Sequence, residues 1–223
     1  MIQPENFKKL FEPALMFSVL FLPGYISQYQ PFDGRLLVDP IFNIVYLISV
    51  IPQVLLVIYL IVRNNVAGKE NYGLKKITWK EALYGPGVAL AIFICILPFI
   101  TLSSFTGVGS NKVLTDIKWQ AVQPEILPIV FITSLATGYR EELFFRSYLI
   151  NKLTEASVEK RTAIVVSVLL FSAGHIYQGL FAFLSSVLIA MLLAVLFARY
   201  RNLHAISIGH GLFNFVVLCF SVL

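Results

Sequence analysis

Apolar residues are grouped along this chain in long blocks, not in the alternation of half-buried strands. Seven blocks approach or exceed the roughly 20 residues a helix needs to cross about 30 Å of hydrocarbon. They cover 11–28, 41–62, 86–105, 124–152, 161–178, 180–199 and 203–222. The first is interrupted by Pro23 and Gly24. The fourth is longer than one crossing requires, so it either tilts or breaks near Gly138 into two shorter helices. The pattern predicts an all-α, polytopic transmembrane helix bundle of seven or eight spans. Connection 63–85 is the one long polar insertion, and a short amphipathic interfacial helix is expected around Ile77–Tyr84. In connection 106–123, Gly107 to Asn111 reads as a turn. No internal repeat, low-complexity tract or soluble domain interrupts the series.

Composition sharpens this picture. Of 223 residues, 58% are hydrophobic and 13% charged, about half the charged fraction of a soluble domain. The net charge of +5 comes from basic residues dispersed between apolar blocks. That suits loops facing anionic lipid and argues against a nucleic-acid partner. With seven spans, twelve Lys and Arg fall in one set of connections and three in the other. The excess puts the N-terminus in the cytoplasm and the C-terminus outside. Lys8 and Lys9 before Ala14–Leu22 resemble a leader peptide, but Glu12 and Pro13 intervene and no small-x-small cleavage pattern follows, so a retained first span is expected. Cys95 and Cys219 sit in apolar blocks and read as free thiols.

The fourth block contains the anomaly. Arg140, Glu141, Glu142 and Arg146 stand among apolar residues, and each charge at bilayer depth costs about 2.5–3.5 kcal/mol on insertion scales. Glu142 and Arg146 are four apart and share a helix face, as do His210 and Asn214. Glu141 points about 100° away from Glu142. One division gives Glu142 to Arg146 as an ion pair and frees Glu141; spacing alone also permits the reverse. A rise of about 1.5 Å per residue puts Glu141 and Asn214 roughly 16 Å, His175 about 21 Å and His210 about 10 Å from the same side. All four can therefore meet in one slab of the membrane. Ser172, Ala173, Gly174, Gly209 and Gly211 allow close helix approach there. His204, beside Arg199 and Arg201, reads as interfacial, and Arg140 has no evident task.

The chemistry follows from the parts. A carboxylate takes a proton from water, and a histidine holds that water or passes the proton on. Imidazole N–H and asparagine amide groups can donate to a developing oxyanion. Carboxylates and histidines at one depth are also a zinc donor set; no H-E-x-x-H occurs, and spacing does not settle that alternative. Intramembrane carboxylates also mark proton pathways, although the first three spans are poor in polar residues.

These motifs resemble those of the CAAX protease and bacteriocin-processing (CPBP) family of membrane peptidases, which includes the CAAX prenyl endopeptidase. Glu141, Glu142 and Arg146 match E-E-x-x-x-R; Phe171 and His175 match F-x-x-x-H; His210 and Asn214 match H-x-x-x-N. The resemblance covers residues 124–223, a CPBP-like catalytic core, while 1–123 supply N-terminal spans and loops of the same bundle. It implies a glutamate-dependent intramembrane endopeptidase without a catalytic metal or cofactor, acting on a peptide or membrane protein from the cytoplasmic side. By the same resemblance, Glu141 and His175 activate water, His210 and Asn214 form an oxyanion hole, and Glu142, Arg146 and Phe171 support the site or position substrate. A non-catalytic immunity or regulatory protein on this scaffold is the alternative.

Overall fold

A computed structural model of the chain describes residues 4–27, 33–63, 69–106 and 124–220. Among them every regular element is helical and no strand occurs. The expected turn at 107–111 and the basic residues Lys112 and Lys118 lie outside the described residues.

Helix α1 (Pro4–Leu20) ends earlier than the apolar pattern suggested, and α2 (Leu22–Ser27) follows after a break at Phe21. Pro23 has no N–H for the carbonyl of Val19, which weakens the helix at this point. Helix α3 (Pro40–Arg63) and α4 (Trp79–Thr106) are long and apolar. The separate interfacial helix expected near 77–84 does not form. Thr78 and Glu81 make a capping box, with the Thr78 N–H and hydroxyl both donating to Glu81 Oε2 (2.7 and 2.6 Å). Trp79–Tyr84 are therefore the first turns of α4 itself.

The fourth block is one continuous helical run. Helix α5 (Leu127–Glu142) widens into a π-helical segment, Leu143–Leu149, and returns to α geometry in α6 (Ile150–Glu155). The run does not break at Gly138. Helices α7 (Lys160–Ala173), α8 (Leu180–Tyr200) and α9 (Leu203–Phe220) complete the bundle. The expected span 161–178 is shorter as a helix, ending at Ala173 with a 3₁₀ turn at Ile176–Gln178. Glycine at 179, with φ 107°, lets the chain turn into α8.

Among the described residues, three helices are by length and composition long and apolar enough to cross a membrane: Pro40–Arg63, Trp79–Leu102 and Leu180–Tyr200. Leu203–Cys219 is a shorter apolar helix. On α3, Ile41, Ile44, Ile48, Ile51, Leu55 and Tyr59 form an exposed apolar stripe. Asn43, Val50, Val57 and Ile61 are buried. An apolar outer face of that width suits lipid.

Helix α9 packs on both α4 and α5. Two glycines make this possible. A Cβ at Gly209 would lie 2.5 Å from Val88 Cβ on α4, and one at Gly211 would lie 2.7 Å from Leu135 Cα on α5. The crossing with α5 is reciprocal, since a Cβ at Gly138 would lie 2.7 Å from Gly211 N and from Ser207 O. The two backbones touch at Gly138 and Gly211. This brings Glu141 and Glu142, one turn beyond Gly138, beside His210.

Candidate active site

The carboxylates divide their partners. Glu142 Oε2 lies 3.1 Å from Arg146 Nε, with both side chains fully buried. Glu142 Oε1 lies 2.9 Å from His210 Nδ1. Glu141 keeps 17% exposure, and its Oε2 is 3.8 Å from His210 Nε2. His210 thus stands between the two glutamates, on different ring nitrogens. Of the two divisions that spacing allowed, the structure pairs Glu142 with Arg146 and leaves Glu141 outside that pair.

The guanidinium of Arg146 has another kind of support. It stacks over the Phe171 ring at 4.4 Å and lies 5.9 Å from the Phe145 ring. A desolvated cation over an aromatic face gains about 2 kcal/mol or more. Phe171 also lies 4.8 Å from the His175 ring and 5.9 Å from the His210 ring. It joins the three motif groups through one side chain.

The π segment places Arg146 beneath Glu142, and polar side chains accommodate its irregular backbone. Ser167 Oγ donates to Phe145 O (2.7 Å), and Asn151 Nδ2 donates to Ser147 O (2.5 Å). Wide turns of this kind recur at functional sites.

His175, expected on the span 161–178, is not on α7 but just past its end. The Gly174 N–H bonds Phe171 O and the His175 N–H bonds Ser172 O, tightening the last turn. Its Nδ1 lies 3.1 Å from Phe171 O. A carbonyl can only accept, so Nδ1 carries the proton and Nε2 of the neutral ring keeps its lone pair. Asn214 is half-buried, one turn beyond His210 on the same helix face.

Several neighbours had no motif to announce them. Arg140, without a task in the sequence, donates from Nε to Gln53 Oε1 (2.7 Å) and from Nη2 to Leu20 O (2.6 Å), and covers the Phe21 ring at 4.3 Å. It fixes the start of the charged stretch to α3 and to the broken end of α1. The Tyr25 hydroxyl donates to Leu170 O (2.7 Å) beside the His175 corner. Only the break at Pro23 and Gly24 hinted at a specialised N-terminal segment. His204 lies elsewhere: Tyr139 O–H donates to its Nδ1 (3.2 Å), while Nε2–H donates to Lys75 O (2.8 Å). Among the described residues no group of three or more His, Cys, Asp or Glu side chains is arranged to hold a metal ion.

Comparison with known proteins agrees with the three motifs. Residues 123–216 match the family described as "Type II CAAX prenyl endopeptidase Rce1-like". The chain is 28% identical over 181 residues to "UPF0177 protein YvdC" of Lactococcus lactis subsp. lactis (strain IL1403), covering 78% of this chain and 62% of that protein. It thus spans about three fifths of the relative's length. No solved structure matches. The stretch of this integral membrane protein that is similar to that family, residues 123–216, contains all seven motif residues.

Proposed function

We propose that the chain is an intramembrane endopeptidase that hydrolyses a peptide bond at or near the cytoplasmic membrane face, with Glu141 as general base. The observation that carries this reading is the placement of His210 between two unequal glutamates. Glu142 is committed to Arg146 and His210, whereas Glu141 is partly open and outside the ion pair. The Nδ1–H of His210 donates to Glu142, an orientation device of the kind that fixes catalytic imidazoles. In the reacting state His210 donates from both ring nitrogens. Its Nε2–H then points toward the Glu141 side as a donor.

In this scheme water lies between Glu141 and His175 Nε2. Glu141 takes one proton as the oxygen attacks the peptide carbonyl. The Nε2–H of His210 and the amide of Asn214 donate to the oxyanion, and Arg146 and Phe171 hold that geometry. The proton on Glu141 passes to the leaving nitrogen as the C–N bond breaks. The substrate is a peptide or membrane protein, and the family match favours a prenylated C-terminal segment. Residues 124–223 form the catalytic core, with the N-terminus in the cytoplasm.

A substrate search tests the proposal. Membrane peptides from cells making the wild-type chain are compared by mass spectrometry with those from cells making Glu141→Gln at equal abundance. New termini dependent on Glu141 are expected. Identical peptide sets, with cleavage of added prenylated peptides equally absent from both, would favour a non-catalytic partner on this scaffold.

A further inference from the structure

The site described above lies within the family-matched region, yet one side chain from far outside it reaches the same place. Tyr25, on α2, donates its phenol hydrogen to Leu170 O at 2.7 Å. That carbonyl belongs to the last turn of α7. The Gly174 N–H, which an α-helical continuation would direct to Leu170 O, bonds Phe171 O instead. The phenol therefore satisfies a helix-end acceptor that the tightened turn leaves without its usual donor.

The ring of Tyr25 also explains the glycine at 174. Gly174 has φ −67° and ψ −4°, which any residue adopts, so conformation does not demand glycine there. Space does: an added Cβ would lie 2.6 Å from Tyr25 Cε1, 2.8 Å from Cζ and 2.9 Å from the hydroxyl oxygen. The tyrosine is seated directly on the residue before His175.

Tyr25 is itself held in place. Its ring makes an edge contact with Phe17 at 5.5 Å. Phe21 packs on Phe144 and Phe145, both at 4.7 Å. Arg140 binds Leu20 O at the junction of α1 and α2. The N-terminal segment is therefore fixed to the charged helix on one side and to the His175 corner on the other.

We infer that Tyr25 is a positioning residue of this site, clamping the Leu170–His175 corner so that the His175 imidazole is held in register with Glu141. The inference deepens the proposed hydrolytic function and rests on it for its kinetic consequences, but the positioning itself can be read without a substrate. The chain has three histidines, His175, His204 and His210, so imidazole-¹⁵N labelling of the full-length protein in lipid nanodiscs gives a small, assignable set of signals. Tyr25→Phe keeps the ring and removes the donor. It is expected to shift the His175 signals and their titration midpoint while leaving those of His204 unchanged.

Tyr148→Phe is the control, since Tyr148 also ties α1, through Glu12 (2.7 Å), but away from the His175 corner. It is expected to leave His175 as in the wild type. With an internally quenched farnesylated peptide as probe, Tyr25→Phe should lower kcat about five- to tenfold with KM unchanged, the kinetic counterpart of one lost hydrogen bond. Superimposable His175 titrations in wild type and Tyr25→Phe would overturn the inference, as would equal displacement by Tyr148→Phe. Glu141→Gln, assayed in parallel, separates the two ideas. If it cleaves the probe like the wild type, Glu141 is not the base, and if neither protein cleaves the probe the hydrolytic reading fails; in both cases the histidine signals still decide the role of Tyr25.

Discussion

Two charged clusters lie on the same helical run and are built by opposite means. The first, Glu141, Glu142, Arg146 and His210, is formed where α5 crosses α9, and its ion pair is fully buried. The second begins only a turn or two farther on. Lys152 lies 3.6 Å from Glu12 and 3.4 Å from Glu155, whose side chains are 36% and 35% exposed. Two phenols complete it: Tyr148 donates to Glu12 and Tyr72 to Glu155. The two carboxylates stay partly solvated, so desolvation falls mainly on Lys152, which is itself buried. A fully buried pair pays desolvation on both ions, and removing one partner leaves a charge stranded. The second cluster ties the N-terminal helix and the 69–72 turn to the run. The first is costly to assemble, and the aromatic face beneath Arg146 and the bond from His210 to Glu142 offset part of that cost.

The contrast can be broken experimentally. The largest effect is expected from Arg146→Met, which leaves Glu142 buried without its cation. It should lower stability by about 3–5 kcal/mol, read from unfolding in mixed micelles. A loss below 1 kcal/mol would mean that the pair is not desolvated as described. Next comes Gly138→Ala. The new methyl group meets backbone of α9, so about 1–3 kcal/mol of strain is expected, together with a changed His210 imidazole signal as α5 and α9 separate. An unchanged His210 would show that the crossing does not set the distance between the glutamates and the histidine. The smallest effect is expected from Lys152→Met, under about 1 kcal/mol and reduced further by salt. A loss comparable to that of Arg146→Met would erase the distinction between the clusters.

Much of the site was legible because helices translate spacing into direction. The interval of four between Glu142 and Arg146 put their pairing among two divisions that spacing allowed, and the depth of His210 allowed it to meet the glutamates. The long apolar runs at 41–62, 86–105 and 180–199 reappear as α3, α4 and α8. What was hidden depends on partners remote in sequence. Arg140 reaches Leu20 and Gln53, and Tyr25 reaches Leu170, across 120, 87 and 145 positions. No periodicity encodes such bonds. The π segment was hidden too, because its extra width rests on Ser167 and Asn151 bonding carbonyls that look ordinary in sequence. His175 was expected on a helix because the apolar run continues past Ala173, but helix-end hydrogen bonds, not hydropathy, decide where α7 stops. The merging of Trp79–Tyr84 into α4 had a visible signal in Thr78 and Glu81, whose capping geometry outweighs the local polarity.

The account turns on the division of labour between adjacent glutamates, and Glu141→Gln in the purified protein tests it most directly. The substitution removes the proposed base but leaves Glu142, Arg146 and their buried contacts in place. On a peptide that the wild-type protein cleaves, the account predicts a loss of roughly 100- to 10,000-fold in kcat, with the unfolding transition unchanged. Cleavage by Glu141→Gln at the wild-type rate would contradict it.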